Sequence, residues 1–200
     1  MPPAGRRKLL LGGTVLRSGA ADTKANAAAD YAVFTELSPD TKLMQPGWNR
    51  RIFTNTDSRK GDAVQCDFAS GVLTLAPGVY QLSGMSMVLY GATGDPPETT
   101  TIRSPAAAGY CRLRTFDPNV RVDSTNLRAL DNGDPSVICI GSPASANMVP
   151  SVFDAFFEAG SATQLVLEHQ SGAKPEQIYL RVYTEKSKWH ALARISIRRL

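Results

Sequence analysis

The chemistry open to this chain starts with two histidines, three cysteines and a scatter of carboxylates. His169 follows the apolar run Leu165–Leu167 and Glu168. His190 adjoins Trp189. No HxH or HExxH spacing joins them, so they do not read as a metal site. No GxSxG elbow, Walker loop or strand-linked GxGxxG is present, and separated serines do not make a triad. Cys66, Cys111 and Cys139 are an odd set without a CxxC pair, expected as small buried hydrophobes in or near strands, with one disulfide and a spare thiol as the alternative. Glu158 and Glu168 flank one expected hairpin and invite comparison with a glycosidase pair. Solvent-facing charges on alternate strand positions are the simpler reading. Asp131-Asn132-Gly133-Asp134 has the look of a calcium turn but lacks the spaced ligands and terminal Glu. Trp48, beside Pro46-Gly47, is the best candidate among the Trp and Tyr residues for stacking a ligand such as a sugar ring. No catalytic residue, cofactor or metal ligand is therefore expected, and the chain reads as a non-enzyme.

The elements that would position such residues are strands. Val64 to Leu89 reads as strand, tight turn, strand around Pro77-Gly78, because Pro presets the turn dihedral and Gly tolerates the conformation that follows. Gln177 to Tyr183 and Trp189 to Leu200 read as a second, similar pair. In the closing segment Ala191, Ala193, Ile195 and Ile197 fall on one face; Leu192, Arg194, Ser196 and Arg198 fall on the other. Tyr31 to Leu37 is an expected first strand, and Thr99 to Arg103 a short edge strand. About ten short strands, with turn signals about every ten residues and no amphipathic helix, favour a sandwich or barrel.

The net charge of +4 is unevenly spread. Residues 1–24 hold five basic side chains (Arg6, Arg7, Lys8, Arg17, Lys24) and one acidic, Asp22; the remaining 176 hold 17 of each sign. A neutral domain, residues 31–200, is therefore expected behind a basic N-terminal arm, residues 1–30. Arg6, Arg7, Lys8 and Arg17 are its candidate anchors on an acidic surface or a larger assembly. The apolar run Leu9 to Leu16 is short, interrupted by glycines and stopped by Arg17, so it does not read as an export signal. No apolar run approaches the ~20 residues of a membrane span. The domain lacks an aromatic-glycine RNA-binding motif, so neither membrane nor nucleic acid is an expected partner.

Three segments together carry a resemblance. Leu73-Thr74-Leu75-Ala76-Pro77-Gly78-Val79-Tyr80-Gln81-Leu82 is the first. Phe157-Glu158-Ala159-Gly160-Ser161-Ala162-Thr163-Gln164-Leu165-Val166-Leu167-Glu168-His169-Gln170-Ser171-Gly172 is the second, and Ala193 to Leu200 the third. The set resembles the tumour-necrosis-factor-like superfamily, which includes the globular heads of the first complement component and phage and bacterial relatives. It covers residues 31–200. The resemblance implies an all-β, ten-strand jelly-roll β-sandwich and a homotrimer. The 91–136 region is longer and richer in loops than in a minimal member, and the basic arm stands where complement proteins carry a collagen stalk.

Apolar surface on both faces of some strands makes a trimer physically reasonable. Its expected core residues are Tyr80, Ile138, Phe153, Phe157, Tyr179 and Ile195. Taken with the basic arm, the resemblance to phage members of the superfamily implies a non-enzymatic structural protein of a bacteriophage virion, a head decoration, head fibre or tail fibre protein anchored by residues 1–30. The alternative is a receptor- or carbohydrate-binding adhesin, cell-surface or extracellular, with Trp48 at its ligand site.

Overall fold

A computed structural model describes residues 29–38, 40–90, 109–119, 134–143, 149–170, 178–181 and 191–200. The anchor candidates Arg6, Arg7, Lys8 and Arg17 lie outside them. So do Trp189, His190, the expected strand at 99–103 and most of the 91–136 region. Every regular element among the described residues is a strand. In order these are β1 (Tyr31–Glu36), β2 (Lys42–Leu43), β3 (Trp48–Arg50), β4 (Asn55–Lys60), β5 (Val64–Asp67), β6 (Val72–Leu75) and β7 (Gly78–Ser86). There follow β8 (Leu89–Tyr90), β9 (Tyr110–Thr115), β10 (Val137–Ile140), β11 (Ser151–Ala159), β12 (Thr163–Gln170), β13 (Ile178–Arg181) and β14 (Ala193–Arg199).

They form two main layers, and every pairing among the described strands is antiparallel. One sheet has the order β11-β7-β14-β1-β4. The other has the order β10-β9-β12-β6-β5, with β3 added on β12. A small sheet, β2-β13-β8, sits apart with its own apolar cluster of Met44, Val88, Ile178 and Leu180. That small sheet and the short β3 bring the described strands to fourteen where the sequence suggested ten.

Alternation explains the layers. In β14, Ala193, Ile195 and Ile197 are fully buried while Arg194 and Arg198 are exposed. This is the face assignment read from the sequence. In β12, Leu165 and Leu167 enter the same core with Leu73 and Leu75 of β6, Leu113 of β9, Leu82 of β7 and the tilted ring pair Phe34–Phe53. Truncating one of these leucines to alanine costs about 2–5 kcal/mol, because the cavity adds to the lost transfer energy.

The chain repeatedly changes layer. β4 and β5 lie in different sheets, as do β6 and β7, and β11 and β12. The Pro77-Gly78 turn is where expected, but it joins strands that do not pair. It is a corner between layers, not a hairpin, and the Tyr80 hydroxyl closes it by donating to the Ala76 carbonyl at 2.8 Å. The closing pair is split in the same way, with β13 in the small sheet and β14 between β7 and β1. A turn signature reports the local reversal; it carries no information on which layer receives the next strand.

Candidate functional site

The outward face of the five-stranded sheet is set by the alternation that builds the core. In β11 the inward positions are Ser151, Phe153, Phe157 and Ala159; the outward ones are Val152, Asp154, Phe156 and Glu158. Phe156 is 67% exposed, Val152 51% and, on neighbouring β7, Val79 43%. Register places Val152 opposite Met85, Phe156 opposite Gln81 and Glu158 opposite Val79. Across β14, Arg198 lies between Gln81 and Tyr31, and Ser196 between Ser83 and Val33. The face thus has an apolar, acidic flank on β11 and a basic strip on β14, with small serines between. Arg194 makes one loose pair with Asp57 at 3.8 Å. Asp154, Glu158 and Arg198 make no ion pair among the described residues.

Several residues singled out for intersubunit packing are instead consumed inside one chain. Tyr80 and Ile195 are fully buried in the core. Phe153 lies under Gly84, where an added Cβ would come within 2.7 Å of its ring. Their apolar area is already removed from water, so they are corrected from contact residues to core residues. Phe157 and Ile138 are half-buried and pack against that core. Tyr179 is half-buried in the small sheet. The run of phenylalanines that suggested a two-sided strand divides by parity, and Phe156, with Val152, was the outward member. Fixing Phe153 and Phe157 inward would have exposed that signal.

The suggested carboxylate pair does not form. Glu158 points out of the five-stranded sheet, whereas Glu168 lies on the opposite outward face of the other sheet. Layers packed ~10 Å apart lie between them. Of the calcium-like turn only Asp134 is described. The Ser136 hydroxyl, and then the Ser136 N–H that donates to its carboxylate at 2.8 Å, hold its pKa below the usual carboxylate value.

A polar hub at one end of the sandwich was not visible in the sequence. Arg51, directly after β3, is fully buried. Its Nε donates to Ser86 Oγ at 2.8 Å and its Nη1 to the Leu180 carbonyl at 2.8 Å, while Nη2 donates to the Met87 carbonyl. Glu36 is held by Arg51 at 3.4 Å and by Arg181 at 3.2 Å, and Arg181 also forks onto Asp40. Gly71, with φ of +71°, lets the backbone approach; a Cβ there would sit 2.2 Å from the Arg51 carbonyl oxygen. The hub ties both main sheets to the small one. Ser86 Oγ also meets His169 Nδ1 at 2.8 Å. This hydroxyl–imidazole pair is sealed in the interior, and burial beside the Arg51 cation holds His169 well below its ordinary pKa. It is built as a neutral structural contact.

The outward face of the six-stranded sheet is the chemical inverse of the first. On β12 and β9 the outward residues Val166, Glu168, Arg112 and Arg114 are buried. Glu168 accepts from Arg112 Nε at 2.8 Å and from both Nε and Nη2 of Arg114 at 3.0 and 2.9 Å. Register puts Arg50 of β3 on the other side of Glu168. The Arg50 guanidinium lies 4.4 Å from the Phe116 ring centre, and Arg112 lies 4.0 Å from that of Trp48. The sequence's stacking candidate is therefore half-buried with one ring face already covered by an arginine.

The order of layers and strands is that of the tumour-necrosis-factor-like jelly roll, and comparison with solved structures agrees. Murine APRIL at pH 5.0 superposes with a TM-score of 0.50 at 7% identity, over 86% of this chain and 99% of that one. PRD1 vertex protein P5 gives a TM-score of 0.46 at 11% identity, over 86% of this chain and 96% of that one. At such identities the agreement establishes fold alone. No protein-family model and no curated protein matches the sequence.

Proposed function

We propose that this chain is a non-enzymatic structural protein of a bacteriophage virion, a homotrimeric head decoration or fibre protein whose residues 1–30 dock on the particle. The observation that carries the reading is the exposed apolar flank of Val79, Val152 and Phe156 on a charge-divided sheet face. Apolar area of this kind gains about 25 cal/mol for each Å² removed from water. The division of charge favours head-to-tail packing. In a three-fold ring the acidic β11 of one copy meets the basic β14 of the next, and the ring closes without leaving an open surface. The arm supplies the anchor, because its five basic residues face no equal number of acids nearby in sequence. No helix among the described residues is long and apolar enough to cross a membrane.

The test has two arms. Native mass measurement of the purified chain is expected to give three copies, and Phe156→Asp is expected to return single copies that keep their β-sheet circular dichroism. Removal of residues 1–24 is expected to abolish association with particles while leaving the trimer. A wild-type chain that stays single at high concentration, or a truncated chain that still decorates particles, overturns the reading.

A further inference from the structure

We propose that the outward face of the six-stranded sheet binds the carboxylate of an acidic sugar, with Arg50 and Arg112 Nη2 as donors and Trp48 as the apolar wall. The inference is independent of the particle-docking reading. It begins with an unsatisfied donor. Arg112 is buried, its Nε is engaged by Glu168, and its Nη2 has no hydrogen-bond partner. A buried, charged donor left without an acceptor is rare in folded proteins and calls for a partner. Arg50, on the far side of Glu168, has an aromatic ring beneath it and no carboxylate within ion-pair distance among the described residues.

Charge then selects the ligand. Arg50, Arg112 and Arg114 face Glu168, and Asp134 is close enough to feel Arg112 and Arg114. Among the described residues the local balance is one positive charge, which a monoanion neutralises and a phosphate dianion overshoots. The cluster already shows the geometry it favours, since Arg114 grips both oxygens of Glu168 in a fork. Arg50, Trp48 and Phe116 are half-buried and form the accessible rim, with Arg112 and Arg114 beneath. In the neighbouring register row Trp48, Gln170 and Tyr110 stand side by side. That row offers an aromatic surface and an amide to a ring bearing hydroxyls, which a bare organic acid would not use.

Trigalacturonate, titrated into the ¹⁵N-labelled full chain, is the probe. Saturable shifts are expected at the Trp48 indole N–H and at the arginine Nε–H groups. They should vanish with the methyl-esterified trisaccharide, which keeps the sugar and loses the charge. Arg50→Gln should weaken binding about tenfold or more, the scale of a charge-assisted hydrogen bond, and Arg50→Lys should retain part of the affinity. Absence of shifts in the wild-type chain means that only an ordered water completes Arg112, and overturns the proposal. So does equal binding of the methyl ester. Equal binding of sodium acetate at the same groups overturns the sugar assignment, because the site then reads a carboxylate alone.

Discussion

The two outward faces of this sandwich reverse the usual relation between chemistry and exposure. One presents Phe156, Val152 and Val79 to solvent; the other buries Arg112, Arg114 and Glu168. Both arise from the same period-two alternation, so pattern alone does not decide what covers a face. The difference lies in what each can tolerate. An exposed apolar flank costs little in one chain but is adhesive. A buried ionic row is stable only while every charge keeps its partner.

That contrast can be broken in graded steps. The largest effect is expected from Glu168→Gln, which strands two buried guanidinium groups. Loss of one member of a buried ionic cluster costs about 3–5 kcal/mol, readable as a lowered urea midpoint. Next are the thiols of the two edge strands of that sheet. Burial, with smaller contributions from Asp67 at Cys66 and Cys111 at Cys139, pushes them up to about 12 and about 11. At pH 8 their alkylation should be about a hundredfold or more slower than in the unfolded chain, where a thiol near 8.5 is partly ionised. Mass spectrometry of timed samples measures this, and equal rates would mean that the edges are open.

His169, on the inner side of the same sheet, gives a smaller, pH-dependent effect. Its folded pKa lies below the unfolded value near 6.5, so the unfolded chain takes up the proton first as pH falls. The stability is full above that unfolded value and is lost toward the lower folded pKa, by at most about 1.4 kcal/mol per pH unit. Burial raises Glu36, whose linkage has the opposite sign, against the pull of Arg51 and Arg181. The difference in slope between wild type and His169→Gln isolates the imidazole. The smallest effect is expected on the other face. Val152→Ser with Phe156→Ser should change the stability of the single chain by only about 0.5 kcal/mol per site, while sedimentation reports loss of assembly. A stability loss comparable to that of Glu168→Gln would dissolve the contrast between the faces.

The parts of this architecture legible in the sequence are those written in local periodicity. The alternation of Ala193, Ile195 and Ile197 marked the inner face of β14, and Pro77-Gly78 marked the reversal between β6 and β7. The polar hub was illegible because its members are far apart in sequence. Arg181 and Glu36 are 145 positions apart, and no motif links them. Phe156 was masked by its neighbours, since three phenylalanines within five residues read as uniformly apolar until one is fixed inward. The arginine cluster was missed for a third reason. Arg112, Arg114 and Glu168 sit where alternation places solvent-facing charges, and only the fold shows that they are covered.

β14 follows every other described strand in the chain, yet it fills the gap between β7 and β1. A nascent molecule therefore holds both of those strands with one row of peptide groups unsatisfied until β14 has been made. In that interval the incomplete sheet exposes two unpaired edges, and the molecule is open to pairing with the wrong chain.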